Sequence, residues 1–356
     1  MDINNAQSAQ NPARQFLKKG LFFVVMIALT FGLFFSSVNL NNLVGALRQA
    51  HIGYLSIAGL CMALSIVCEA LNIGRGLKVQ GILVSFKKKI VYAFYGFFFS
   101  AITPSASGGQ PLQLYAMHKD RIDVAQGTLS LLFELASFQI ATLSFAIFGM
   151  AFKFDYIYGR LGAGILIVYL GLGLNALVLL FLGVALFSRR LANGVVALGL
   201  RVAGFFFPQK RDAWADGAHK QLEQYYEGAL LIKKHKLLSL QAVATSLVQI
   251  LALHSITYWV YMSLGLGNES FFTILALQSV LFISVSSLPL PGAVGANEGG
   301  FLLLFKLIFP ATMLDASMVL SRGVSFYAPV LITGISIAIW SMTSRPSQKS
   351  KPALQD

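Results

Sequence analysis

Charge is scarce in this sequence. Only 12% of its 356 residues are Asp, Glu, Lys or Arg, about half of what a soluble domain carries. Acids are scarcer than bases, 14 against 27, which leaves a formal net charge of +13. The charges are clustered, so long uncharged stretches lie between them, and 56% of the chain is hydrophobic. Apolar runs of about 20 residues are what a helix needs to cross the hydrocarbon core of a bilayer. A water-soluble fold is therefore excluded. The nucleic-acid partner that such a net charge suggests in a soluble protein goes with it. Here the Lys and Arg sit between apolar runs, where they mark topology and meet anionic lipid headgroups.

Cysteine is scarcer still, with two residues. Cys61 and Cys68 lie two turns apart in one predicted helix, roughly 10 Å, and cannot pair with each other. No metal-ligand cluster, nucleophile elbow or P-loop occurs in the sequence. Gly74-Arg75-Gly76 lacks the third glycine of a dinucleotide fingerprint and follows no strand. No metal or cofactor is expected. The basic N-terminus (Arg14, Lys18, Lys19) and the apolar stretch Leu21 to Phe34 have no small-residue cleavage pattern after them, so they read as an uncleaved first span.

What is present is an all-α, polytopic pattern. Apolar spans fall at about 21–39, 53–72, 124–151, 161–187, 237–265 and 316–343. Two further stretches, 90–118 and 271–310, are broken by Pro and Gly: Pro104, Gly108 and Gly109 in the first, Pro289, Pro291, Gly292 and Gly295 in the second. The positive-inside rule decides how they run. If 90–118 dips in and returns, every basic cluster is cytoplasmic, including the long basic segment 188–236. If it crosses once, that segment faces outward. The expected organisation is a cytoplasmic tail 1–20, a first membrane half 21–187 with a re-entrant hairpin at 90–118, and a cytoplasmic amphipathic connection 188–236. A second half, 237–343, follows with its own re-entrant hairpin at 271–310, then a cytoplasmic tail 344–356.

A shift of 187 positions lays Ser100 on Ser287, Pro104 on Pro291, Ala106 on Ala293, Gly108 on Gly295 and Gln110 on Asn297. The first hairpin enters from the cytoplasm and the second from outside, so the expected fold is an inverted repeat of six spans and two re-entrant hairpins. Such repeats are the pattern of many secondary transporters, with irregular backbone meeting near the midplane.

Ionisable residues inside spans are costly and are candidate sites by default. Glu134 follows the first hairpin and Arg322 the second, at places that the repeat sets one position apart. They are expected to face each other across a central cavity, as a switchable pair, a cradle for a zwitterionic headgroup, or a static buried ion pair. Glu298 opens the half-helix after Gly295, where it either caps that N-terminus with Asn297 or contacts the substrate. Gln110, Ser105 and Ser107 hold the equivalent place in the first hairpin, where free N–H groups suit a phosphate. Glu69 is read as an interfacial partner of Arg75, and His254 as a hydrogen-bonded packing residue.

The runs Ser100-Ala-Ile-Thr-Pro-Ser-Ala-Ser-Gly-Gly-Gln-Pro-Leu-Gln-Leu-Tyr-Ala-Met117 and Pro289-Leu-Pro-Gly-Ala-Val-Gly-Ala-Asn-Glu298 resemble two signatures of the lysylphosphatidylglycerol synthase transmembrane region, also called the flippase-like family. Arg322 with Pro329, and Gln221 to Tyr226 followed by Lys233 and Lys234, resemble two more. The resemblance covers about 20–345. It implies a bacterial cytoplasmic-membrane protein with both termini inside, moving an anionic or aminoacylated phospholipid or a lipid-linked headgroup. Because the chain stops at Asp356, the lysyltransferase domain of two-part members is expected to be absent. A membrane subunit serving a separately encoded transferase, in lysyl-phosphatidylglycerol synthesis and cationic peptide resistance, is the alternative. An enzyme acting on a lipid-linked substrate at the membrane face is another.

Overall fold

Helix is the only regular structure among the described residues of the computed structural model, which are 50–188 and 211–343 except 287 and 289, together with 45, 190, 193, 194 and 197. The expected span 21–39, both tails, most of 189–210, and Pro289 lie outside the described residues.

Long uncharged runs of Leu, Ile, Ala and Phe satisfy their own backbone polar groups as helices, the one open-chain solution in hydrocarbon. The first is α1 (Ile52–Val79). It ends where Gly81 turns left-handed (φ 78°), with Gly81 N–H on the Lys78 carbonyl and Ile82 N–H on that of Leu77, a Schellman ending. Next come α2 (Phe86–Ile102) and α3 (Gly109–Lys119), then α4 (Val124–Leu161) and α5 (Ile165–Phe187). The amphipathic α6 (Arg211–Lys234) leads to α7 (Lys236–Ser263), and α8 (Phe271–Val285) and α9 (Ala296–Phe305) follow. The chain closes with α10 (Leu314–Arg322), one π-helical turn over Gly323–Tyr327, and α11 (Ala328–Thr343). Pro329 offers no N–H to the preceding turn, and such a gap is accommodated by a wider turn.

Among the described residues, four stretches are long and apolar enough to cross a membrane: Ile52–Val79, Val124–Leu186, Lys236–Ser263 and Leu314–Met342. The second doubles back at Gly162–Gly164, because Gln139 on α4 donates to Asn175 Oδ1 on α5 at 2.6 Å and Phe133 shares a core with Leu186. A connection was expected near 153–160. The chain stays helical there and breaks only at Lys153 (φ −132°). Leu166 and Leu170 on α5 are 68% and 61% exposed, a surface that only lipid covers comfortably.

α1 and α7 form the central pair, and they run antiparallel. His51 N–H bonds the Ser263 carbonyl (2.8 Å) at one end, Tyr54 stacks on Trp259, and Asn72 donates to the Ala242 carbonyl (3.1 Å) and Ser246 Oγ (2.9 Å) at the other. α2 and α3 fold back on each other as a hairpin. Its open end is held by Lys88 and Tyr92, both bonded to Asp120 (2.7 and 2.6 Å). Near its closed end Gly109 abuts Ser100. α8 and α9 pair likewise, with Gly300 against Leu281. At 17 residues or fewer, none of these four helices reaches the ~30 Å of a bilayer core at 1.5 Å per residue.

α6 lies across the start of α4 and the end of α5. Gln221 Oε1 accepts from Ala125 N–H (2.8 Å), and Tyr225 donates to the Ala185 carbonyl (2.7 Å). Tyr225, Ala229 and Ile232 are buried against Leu129, Phe133, Leu186 and Ala242. That burial, with Tyr226 alongside, pushes the Tyr225 phenol up to about 12.

Candidate functional site

The two broken stretches make the same turn. Pro104–Ala106 and Pro291–Ala293 each form a single 3₁₀ turn, 187 positions apart. In the first, Ala106 N–H bonds Thr103 O (3.2 Å) and Ser107 N–H bonds Pro104 O (3.1 Å). In the second, Ala293 N–H bonds Leu290 O and Val294 N–H bonds Pro291 O, both at 3.1 Å. Left-handed residues also coincide: Ser105 (φ 51°) with Gly292 (φ 56°), and Ala106 (φ 54°) with Ala293 (φ 51°). Non-glycine residues adopt that conformation at a cost of about 1–2 kcal/mol, so packing must hold it. The two turns pack against each other.

Beside them lies a cavity of about 380 Å³ lined from both halves. Of the residues singled out in the sequence, Glu134, Arg322, Asn297, Gln110, Ser105 and Gly292 line it. Ser107 does not, and Glu298 stands behind Arg322, 7% exposed. Pro104 and Pro291 start the turns, Gly108 precedes α3, which begins at Gly109, and Gly295 (φ 85°) precedes α9.

Arg322 and Glu134 share the cavity but not an ion pair. Arg322 Nε lies 2.9 Å from Glu298 Oε1, and its NH2 group donates to the Gly292 carbonyl at 3.0 Å. The guanidinium also stacks 4.3 Å from the Phe326 ring centre. Glu298 accepts from Tyr327 Oη at 3.2 Å and from the Gly295 N–H at 2.5 Å. It therefore caps α9, the first of the two roles weighed for it, and balances Arg322 at once. The π turn puts Phe326 and Tyr327 on the side that faces this pair.

Glu69 was assigned to the interface as a partner of Arg75, and that assignment is overturned. α1 runs to Val79, beyond the expected end at 72, so Glu69 sits well inside. Its Oε1 accepts from Gln113 Nε2 at 2.8 Å and it lines the cavity with Glu134, while Arg75 bonds Asn72 Oδ1. Gln113, Gln249 and Ser321 also line the cavity and had not been noticed. Gln249 Oε1, Ser321 Oγ and His254 Nε2 are buried without a hydrogen-bond partner among the described residues. His254 packs as expected, with Nδ1 2.8 Å from Ser279 Oγ, but it too faces the cavity lining. A chamber with both signs of charge and several amide and hydroxyl groups among apolar walls can solvate a charged group inside the membrane. Among the described residues no group of three or more His, Cys, Asp or Glu stands ready to hold a metal.

The family model for the lysylphosphatidylglycerol synthase TM region matches residues 19–333. The chain belongs to that family. A comparison with curated proteins finds no match. Membership and the apolar helices together make it a multi-pass membrane protein associated with membrane lipid, tied by family to lysylphosphatidylglycerol synthesis or flipping.

Proposed function

We propose that the protein moves a phospholipid or lipid-linked headgroup across the bacterial cytoplasmic membrane without nucleotide hydrolysis. The observation that carries this reading is the cavity with Glu69, Glu134 and Arg322 on its walls, beside two matched turns, one from each half. A single charged side chain at the bilayer centre costs about 3 kcal/mol on insertion scales and about 10 or more in simulations. Glu69 and Glu134 on one wall and Arg322 on the other offer replacement solvation for a headgroup of either sign. Asn297, Gln110 and Ser105 add neutral hydrogen bonds.

In this reading α2–α3 and α8–α9 are re-entrant hairpins entering from opposite sides, and the antiparallel α1–α7 pair relates two inverted halves. Rocking of one half against the other opens the cavity alternately to each leaflet. Both termini and α6 are cytoplasmic. The test is purified protein in vesicles carrying fluorescent anionic, zwitterionic and cationic lipid analogues, with an impermeant quencher outside. Acceleration over protein-free vesicles, slowed in Glu134→Gln, is expected. Folded wild-type protein that accelerates none of the three classes would sink the reading.

The family's tie to lysylphosphatidylglycerol synthesis favours one second reading, a membrane subunit for a separately encoded transferase. Co-expression with such a soluble enzyme should then raise aminoacyl-lipid levels, while lipid movement by the chain alone stays at background.

A further inference from the structure

α1 and α4 are antiparallel neighbours whose register is fixed by two hydrogen bonds. Gln80 Nε2 reaches the Gln126 carbonyl at 3.1 Å, and Ser130 Oγ reaches the Ile73 carbonyl at 2.7 Å. One turn further along each helix stand Glu69 and Glu134, level with each other and both on the cavity wall. Two carboxylates so placed repel each other whenever both are charged. Between α1 and the first hairpin, Gly96 makes room for Glu69: a methyl group there would meet the Gln113 amide and come within 2.8 Å of Glu69 Oε1.

The other charged and titratable groups in the cavity and near the pair are committed elsewhere. Arg322 is balanced by Glu298, and Arg75 bonds Asn72 Oδ1. His254, from α7, holds Ser279 through Nδ1, and Cys68 is the remaining titratable neighbour of Glu69 on α1. Gln113 supplies Glu69 with a neutral donor, and no hydrogen bond reaches Glu134 among the described residues. Two carboxylates thus face one cavity, and the arginine that lines it is paired with a third. A second observation points to what is missing. Gln249 is 4% exposed, lines the same cavity, and its Oε1 is an acceptor without a donor. A carboxyl group that takes a proton loses its repulsion and becomes the donor such an acceptor lacks. A hard metal cation collects about six or more oxygens, whereas the fixed neighbour of Glu69 is an amide donor.

We infer that Glu69 and Glu134 together form a proton-binding site, occupied by one exchangeable proton when no headgroup is present, and that its exchange accompanies headgroup movement. The second half of this statement rests on the translocation reading; the site itself does not. The step is an acid–base exchange. An O–H bond forms on one carboxyl group as hydronium on the open side gives up a proton, and it breaks when water on the other side accepts that proton.

Infrared difference spectra of the full chain in nanodiscs, titrated from acid to alkaline pH, read the site directly. A carboxylic C=O band is expected in the wild type, altered in E69Q and in E134Q and lost in the double variant. A Glu69→Asp variant and a melting curve for each protein guard against misfolding. Absence of the band in the wild type, its persistence in the double variant, or its displacement by sodium at constant pH would overturn the site. The second arm imposes a pH gradient on vesicles and measures the leaflet ratio of the lipid analogue. One coupled proton allows an asymmetry of up to about tenfold per pH unit, and E134Q should abolish it. A wild type that moves lipid but ignores the gradient overturns the coupling. A wild type that moves no lipid at all overturns the translocation reading and the coupling with it, and the infrared band still decides the site.

Discussion

The turn at Pro104–Ala106 and the turn at Pro291–Ala293 share a backbone and differ in almost everything attached to it. The second is clamped. Arg322 reaches the Gly292 carbonyl, Glu298 ties Arg322 to Tyr327 and to the Gly295 N–H, and Phe326 fills the space beside Gly292. The first is held by hydroxyls alone: Thr103 Oγ1 accepts from the Gly108 N–H at 2.9 Å and donates to the Phe99 carbonyl at 2.5 Å. The carboxylates of that half, Glu69 and Glu134, stand in the cavity without an arginine bonded to them. One backbone shape occurs twice, and side chains make one turn rigid and charge-balanced and leave the other adaptable. The first turn is thus the one expected to move.

The comparison breaks most decisively at Arg322. Arg322→Ala strands Glu298 as a buried, unpaired charge and should cost about 3–5 kcal/mol, read as a lowered melting temperature in detergent. A Glu298→Gln/Arg322→Met double variant should recover much of it. If Arg322→Ala melts like the wild type, the second turn is not clamped. Next in size is Gly292→Ala. The added carbon runs into the Phe326 ring at a left-handed position, for about 1–3 kcal/mol. A partial rescue by Phe326→Leu would locate the clash. At the matched place in the first turn, Ser105→Gly should have the opposite sign and stabilise by about 1 kcal/mol, since glycine relieves a strained φ. Equal signs at the two positions would refute the contrast. Thr103→Val, which removes one cap, should cost about 1 kcal/mol, and hydrogen exchange at Gly108 should rise while that at Gly295 stays as it was.

Much of this frame was legible before any coordinates. Pro and Gly clusters amid apolar sequence marked both turns, because few other residues interrupt a membrane helix, and the shift of 187 aligned them to the residue. Lost from view were the pairings. Arg322 and Glu298 meet across a reversal of chain that no periodicity encodes. Opposite charges at nearly equivalent repeat positions therefore pointed to Glu134 as the partner. Glu69 was misplaced for a simpler reason. A hydropathy window ended the span at 72, at the approach of Arg75 and Lys78, while the helix itself runs seven residues further to Val79. That moves Glu69 from the rim to the cavity. The kinked continuation of α4 through 153–160 was hidden in the same way, since Lys153, Asp155 and Arg160 read as a loop yet fit a helix that has left the apolar zone.

The π turn after Arg322 also bears on how two similar halves came to differ. A π turn holds one residue more than an α turn, so in genetic terms a single inserted codon makes one. It rotates everything after it relative to everything before, and brings the fifth neighbour, Tyr327, onto the face where Arg322 and Glu298 meet. Two turns of one backbone shape need no wholesale difference in sequence to behave differently. One extra codon beside a proline is enough to turn a plain helix into a lock.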